Sequence, residues 1–183
     1  MSDQDADPRA VLLRARIRDI PDFPKPGILF RDLTPLMGDG VAMQTTVEML
    51  VEKIAPHRAD TIVAIESRGF ILGAAVAYRL GLGLALVRKP GKLPHERYAA
   101  RYELEYGTDT LEIHRDAFGD GSRVLIVDDL LATGGTASAA IELVRRLDGN
   151  VVGCAFIIEL TFLKGRARLD APDIFSLIPY ASE

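Results

Sequence analysis

Asp128 and Asp129 stand side by side after the apolar run Val124 to Val127, and two leucines further on the chain reads Ala132-Thr133-Gly134-Gly135-Thr136. Ala137 to Leu147 then keeps Ala137, Ala140, Ile141, Val144 and Leu147 at helical spacing, so the glycine-rich loop leads into the first turn of a helix. Without a β-carbon in the way, several backbone N–H groups can converge on one anion, and the helix dipole favours negative charge at the same place. A phosphate fits there, and Thr133 and Thr136 add hydroxyl donors for its oxygens. Carboxylates this near would repel the phosphate itself, so Asp128 and Asp129 need another partner. The vicinal hydroxyls of a ribose 5-phosphate are donors within reach of such a pair.

Other phosphate motifs fail on spelling. A P-loop needs Gly-x-x-x-x-Gly-Lys-Ser/Thr and a dinucleotide fold needs Gly-x-Gly-x-x-Gly after a strand. The loop here has no lysine, and Gly81-Leu82-Gly83 lacks the third glycine and precedes a strand.

A second loop repeats the logic. Thr61 to Ile65 reads as a buried strand, Glu66-Ser67-Arg68-Gly69 stands at its end, and Phe70 to Leu80 reads as a helix. Leu84 to Val87 is another strand, ending in Arg88-Lys89-Pro90-Gly91-Lys92. Taken alone, Arg68 is a surface charge and the three cations after Val87 a solvated turn. In an open parallel sheet all these loops would share the carboxyl edge where ligands bind, and there Ser67, Arg68, Lys89 and Lys92 would offer cations and donors to a ligand.

Val124 to Thr136 resembles the phosphoribosyl pyrophosphate signature of the type I phosphoribosyltransferases, in the spelling of their adenine branch. Phe23-Pro24-Lys25-Pro26-Gly27, Phe30-Arg31-Asp32, Ser67-Arg68-Gly69-Phe70, Arg88 to Pro94 and Leu104-Glu105-Tyr106-Gly107 resemble the same family in the same order, over about residues 10 to 180. The resemblance implies transfer of a phosphoribosyl group to adenine, giving AMP and pyrophosphate. Mg²⁺ would be carried mainly on the substrate's own oxygens, with no dedicated set of protein ligands. It assigns Ser67, Arg68, Lys89 and Lys92 to the diphosphate and Asp128 and Asp129 to the ribose. Ala132, Thr133, Gly134, Gly135 and Thr136 would hold the 5-phosphate. Glu105, by spacing alone one acidic residue on a polar face, would meet the base and handle its proton. Leu29, Phe30 and Arg31, otherwise a short edge strand with Phe30 in the core, would form a hood over the base. Glu66 stands where that family more often has Asp, and its task is open. A transferase for a 6-oxopurine and a non-catalytic sensor of phosphoribosyl pyrophosphate are the other readings compatible with the signature.

The elements that must position these residues follow from the remaining pattern. Pro8 opens a helix expected to run to about Asp19, and Pro21, Pro24, Pro26 and Gly27 forbid regular structure up to Ile28. Gly40 to Ala55 is a core-facing helix, followed by His57 in a polar, solvated turn. Gly91 to about Ala100 shows no period and suits a mobile lid. Tyr102 to Tyr106 and Thr110 to His114 read as a hairpin turning at Gly107-Thr108-Asp109, and Val151 to Leu160 and Ile174 to Ile178 complete the sheet. The fold class is α/β: a Rossmann-like parallel sheet flanked by helices, with a small N-terminal hood (about residues 1–35) and a hairpin or flexible lid, in a single domain of residues 1–183.

Composition narrows the partners. A formal charge of −4 leaves no positive field for nucleic acid or an anionic membrane. No apolar run approaches the ~20 residues of a membrane span, and no leader pattern opens the chain, so a cytoplasmic protein is expected. The single cysteine, Cys154, lies in an apolar run and reads as a core thiol. A homodimer is implied by the resemblance only.

Overall fold

The computed structural model describes residues 7–103 and 108–182. These form two compact units, the first reaching Met49 and the second running from Leu50 to Ser182.

The first unit contains helix α1 (Pro8–Arg14), strands β1 (Arg18–Ile20) and β2 (Phe30–Asp32), the short helix α2 (Thr34–Gly38) and the beginning of α3 (Gly40–Ile54). Helix α1 stops well before Asp19. The following residues are drawn into an antiparallel ladder in which Arg18 faces Asp32 and Asp19 faces Arg31. Both cross-strand pairs are ionic, Arg18 to Asp32 at 2.6 Å and Arg31 to Asp19 at 2.5 Å, so Arg18 and Asp19, expected at the end of the helix, hold a strand pair instead.

The second unit is built on a parallel sheet of five strands in the order β4-β3-β7-β8-β9: Gly83–Val87, Thr61–Ile65, Arg123–Leu131, Asn150–Leu160 and Ile174–Tyr180. One face is covered by α4 (Arg68–Leu80), where Gly73 lets the helix approach so closely that a Cβ on it would lie 2.6 Å from the Ala64 Cβ. The other face is covered by α5 (Gly135–Arg146) and by the antiparallel hairpin β5 (Arg97–Glu103) and β6 (Thr108–His114), with Val63, Ile126, Cys154 and Phe156 buried beneath Ala140, Val144, Leu111 and Ile113. Burial on both faces is why the central strands read as unbroken apolar runs. Burial also pushes the Cys154 thiol up to about 12, as befits a core side chain. The first strand of the sheet is β3; its successor β4 lies on one side and the next sheet strand, β7, on the other. The order in which strands are added across the sheet therefore reverses between β3 and β7, the switch point at which such sheets bind ligands.

Several boundaries depart from the sequence expectation. Strand β7 runs through Asp128 and Asp129 to Leu131, because the long β8 continues the ladder past the polar pair, Asp128 facing Phe156 and Leu131 facing Glu159. The aperiodic stretch after Gly91 ends before Arg97, where β5 begins, and the buried Glu112 anchors both ends of it by accepting from Gly91 N at 3.1 Å and pairing with Arg97 at 3.0 Å. Thr108 and Asp109 belong to β6, not to a turn; the connection that carries Leu104 to Gly107 lies outside the described residues. His57 is not a solvated side chain. It stacks on Phe175 with ring centroids 5.5 Å apart, and its Nδ1 lies 3.7 Å from Asp173.

Candidate active site

A cleft of about 360 Å³ opens at the β3/β7 switch point, lined by the loops that follow those two strands. Helices α4 and α5 both begin here. Their N-cap residues, Ser67 and Gly134, make no side-chain capping bond, so the first-turn amides of two helices face the same space with the positive ends of their dipoles. Gly134 has φ +84°, which only glycine adopts without strain. Ser67, Arg68, Lys89, Asp128, Asp129 and the whole run Ala132 to Thr136 line the cleft, so residues about sixty positions apart in sequence meet as expected.

The two aspartates differ in their surroundings. Arg68 Nε donates to Asp129 Oδ2, while the Asp129 N–H donates to Asp128 Oδ1 at 2.9 Å. Both carboxylates are nearly buried. Gly69 makes this proximity possible, since a Cβ there would come within 2.9 Å of Asp128 Oδ1 and 3.0 Å of Val127 O. Burial, together with the charge of Asp129, raises the Asp128 carboxyl well above its ordinary range. A buried carboxylate under this strain gains from a ligand that brings donors.

The cation side is held by a residue whose task was not legible in sequence. Glu66 accepts from Arg88 Nε and Nη2, both at 3.2 Å, and from the Lys89 N–H at 3.0 Å. It thereby ties the end of β3 to the turn after β4, and Arg88's hydrogen bonds hold its carboxyl below the usual range. Lys89 Nζ pairs with Asp109 at 3.0 Å, and the Tyr102 hydroxyl donates to the same Asp109 oxygen at 3.2 Å. That hydrogen bond raises the lysine and lowers the aspartate. Lys92 is exposed and absent from the lining; its carbonyl accepts from Arg88 Nη1 at 3.3 Å. Tyr102 in the lining and Asp109 through its hold on Lys89 are thus residues that sequence reasoning missed, while Glu66 gains the task that the sequence left open. Glu66 was visible only by its place at a strand end, and Tyr102 and Asp109 arrive through hairpin register.

The base-facing candidates lie apart from this cleft in the sequence. In the first unit Arg31 is buried against Asp19, and Phe30 packs edge-on to Phe23, ring centroids 5.1 Å apart. Leu29 is half-buried just before β2. Glu105 lies outside the described residues.

A parallel sheet with an anion cradle and an acidic pair at its switch point defines the class: the chain belongs to the phosphoribosyl transferase domain family, which it matches over residues 41–178. Within that class its relatives are adenine phosphoribosyltransferases. The one from Syntrophotalea carbinolica is 55% identical over 168 residues, 92% of this chain and 98% of that protein. The crystal structure of adenine phosphoribosyltransferase from Thermoanaerobacter pseudethanolicus superposes with a TM-score of 0.91 at 54% identity, covering 93% of this chain and 99% of that one. The Saccharomyces cerevisiae enzyme, complexed with D-2,5-dideoxy-2,5-imino-altritol 1,6-bisphosphate and adenine, gives a TM-score of 0.88 at 44% identity over 93% and 98% of the two chains.

Proposed function

We propose that this chain catalyses the purine salvage reaction in which adenine displaces the diphosphate of phosphoribosyl pyrophosphate, giving AMP and pyrophosphate. The bond from the anomeric carbon to the diphosphate oxygen breaks, a bond to a ring nitrogen of adenine forms, and that nitrogen's proton leaves. The observation that carries the reading is the meeting of an anion cradle, a carboxylate pair and a cation cluster in one cleft, in a chain about half identical to adenine phosphoribosyltransferases along nearly its whole length.

The roles follow from charge. The amides of Gly134, Gly135 and Thr136, with Ala132 and the Thr133 hydroxyl, receive the 5-phosphate. Asp128 and Asp129 accept from the ribose 2′ and 3′ hydroxyls, which relieves their own repulsion. Ser67, Arg68 and Lys89 take the leaving diphosphate, with Lys92 joining from its exposed turn, and their charge stabilises the leaving group as an oxocarbenium-like centre develops. Leu29, Phe30 and Arg31 serve the base, Phe30 by stacking, and Glu105 manages its proton; this part rests on the resemblance. The carboxylates of the cleft supply too few donors for an all-protein cage but suit a Mg²⁺ held mainly by substrate oxygens, as that ion prefers. When bound, Mg²⁺ neutralises charge on the diphosphate. Among the described residues no helix is long and apolar enough to cross a membrane. The proposed substrate phosphoribosyl pyrophosphate and the products AMP and pyrophosphate are charged metabolites that membranes retain, which supports a cytoplasmic location.

The proposed assembly is a homodimer. Ile71 and Tyr78, two turns apart on α4, and Leu84 and Leu86 on the edge strand β4 leave apolar surface exposed, Tyr78 at 90%, of the kind a second copy would bury. The test of the reaction is stoichiometry: with Mg²⁺ and both substrates, AMP and pyrophosphate should appear in equal amounts. Pyrophosphate released without AMP would contradict it.

A further inference from the structure

The phosphate loop does not rest on β7 alone. Gly165, some thirty residues further on, lies against it: a Cβ on Gly165 would overlap the Ala132 carbonyl oxygen and come within 2.9 Å of Gly134 N. From the other side, a Cβ on Gly134 would sit 2.5 Å from Gly165 O. Two backbones therefore meet with no side chain between them. Gly165 has no positive φ, so its reason for being glycine is this contact and not its own conformation.

Next to Gly165, in the single turn Gly165–Arg168, Arg166 reaches back to the sheet. Its Nε and Nη2 grip the two oxygens of Glu159 at 3.0 and 2.5 Å, and its Nη1 donates to the Ile174 carbonyl. Glu159 is 4% exposed, accepts also from the Ser176 hydroxyl at 2.7 Å, and sits in register with Leu131, the residue before the loop. Burial pushes the Glu159 carboxyl up, yet Arg166 and Ser176 together hold it below its usual range, so it is charged at neutral pH. A forked ion pair is a stiff and directional link.

We infer that Glu159, Arg166 and Gly165 form a strut that fixes the height of the Ala132 to Thr136 loop, and so are positioning residues for the 5-phosphate of the ribose substrate. The inference rests on the proposed role of that loop. None of the three lines the cleft, so their effect must pass through the backbone contact. Since the contact of the strut with the cleft is through the Ala132 to Gly134 backbone, its loss should spare the diphosphate subsite at Ser67 to Lys89.

The experiment compares Gly165→Ala, Arg166→Lys and the double variant Glu159→Gln with Arg166→Met, which leaves no buried charge unpaired if a single change prevents folding. Titration calorimetry reads AMP, which carries the 5′-phosphate, and magnesium pyrophosphate, which does not. The variants should bind AMP on the order of tenfold more weakly and raise KM for phosphoribosyl pyrophosphate to match, with pyrophosphate affinity within about twofold of wild type. Arg166→Lys, which keeps the charge but not the fork, should lie between. Unchanged AMP affinity in Gly165→Ala and Arg166→Lys, or equal losses for AMP and pyrophosphate, would overturn the strut. Failure of the wild-type protein to bind AMP would instead overturn the functional reading beneath it.

Discussion

Arg68, the first residue of α4, hydrogen-bonds through Nε to Oδ2 of Asp129 near the end of β7. The pair joins the loop after β3 to the end of β7 across the switch point of the sheet. On the proposed roles, in which the guanidinium serves the diphosphate and the carboxylate the ribose, phosphoribosyl pyrophosphate would part them.

Asp129→Asn should therefore act twice, weakening an acceptor for a ribose hydroxyl and loosening the hold on Arg68. Asp128→Asn removes only an acceptor. A lost charge-assisted hydrogen bond costs about 1.5–3 kcal/mol, or roughly 10- to 150-fold in affinity. KM for phosphoribosyl pyrophosphate should rise by that order in Asp128→Asn and by less in Asp129→Asn, where the weaker link with Arg68 to be broken offsets part of the loss. Unaltered kinetics in both would remove the ribose role.

The raised Asp128 carboxyl gives a stability signature. A carboxyl whose folded pKa exceeds its unfolded value binds more protons folded than unfolded, so stability falls as pH rises from the ordinary value of 3.8 through the folded one. Near pH 7 the unliganded protein carries that cost, and Asp128→Asn removes it. The variant should melt at a higher temperature than wild type at pH 7, with the gap closing toward pH 4. A lower melting temperature at pH 7 would contradict the burial and repulsion read at this pair.

How much of this was legible depended on range along the chain. Val124 to Thr136 carries strand, acidic pair, loop and helix in one stretch, so local rules sufficed to place Asp128, Asp129 and the phosphate cradle in one site. Lys92 shows the opposite: its sequence neighbours Arg88 and Lys89 suggested a shared role, but the turn sends its side chain to solvent while Lys89 lines the cleft. Helix α1 was read too long because nothing local reveals that Arg18 and Asp19 have ionic partners across a strand pair. Glu66, Asp109 and Gly165 act on residues twenty or more positions away, and only register and packing bring them there.

Lys89 is engaged by Asp109 and, in its proposed role, would leave it to reach a diphosphate. The pair is largely exposed on the lysine side and worth on the order of 1 kcal/mol or less. Asp109→Asn should lower KM for phosphoribosyl pyrophosphate by up to about fivefold without lowering kcat, whereas Lys89→Met should raise it. A higher KM in Asp109→Asn would mean that the aspartate presents the lysine to substrate instead of withholding it.

Glu105→Gln should depress kcat on the order of 10²-fold while changing KM for phosphoribosyl pyrophosphate little, because a group that manages the base's proton acts in the transition state. A defect confined to KM for the diphosphate substrate would move Glu105 out of the base site.

The choice of base tests the account most directly. Adenine presents an amino donor at C6 where hypoxanthine, guanine and xanthine present a carbonyl acceptor, and a polar mismatch of that kind in a closed site can discriminate by ~10⁴-fold. Purified protein with Mg²⁺ and phosphoribosyl pyrophosphate should be assayed for kcat/KM with adenine, hypoxanthine, guanine, xanthine and orotate. Adenine should be converted to AMP and exceed each of the others by several orders of magnitude. Preference for a 6-oxopurine, or tight binding of phosphoribosyl pyrophosphate with no turnover of any base, would contradict the proposed function.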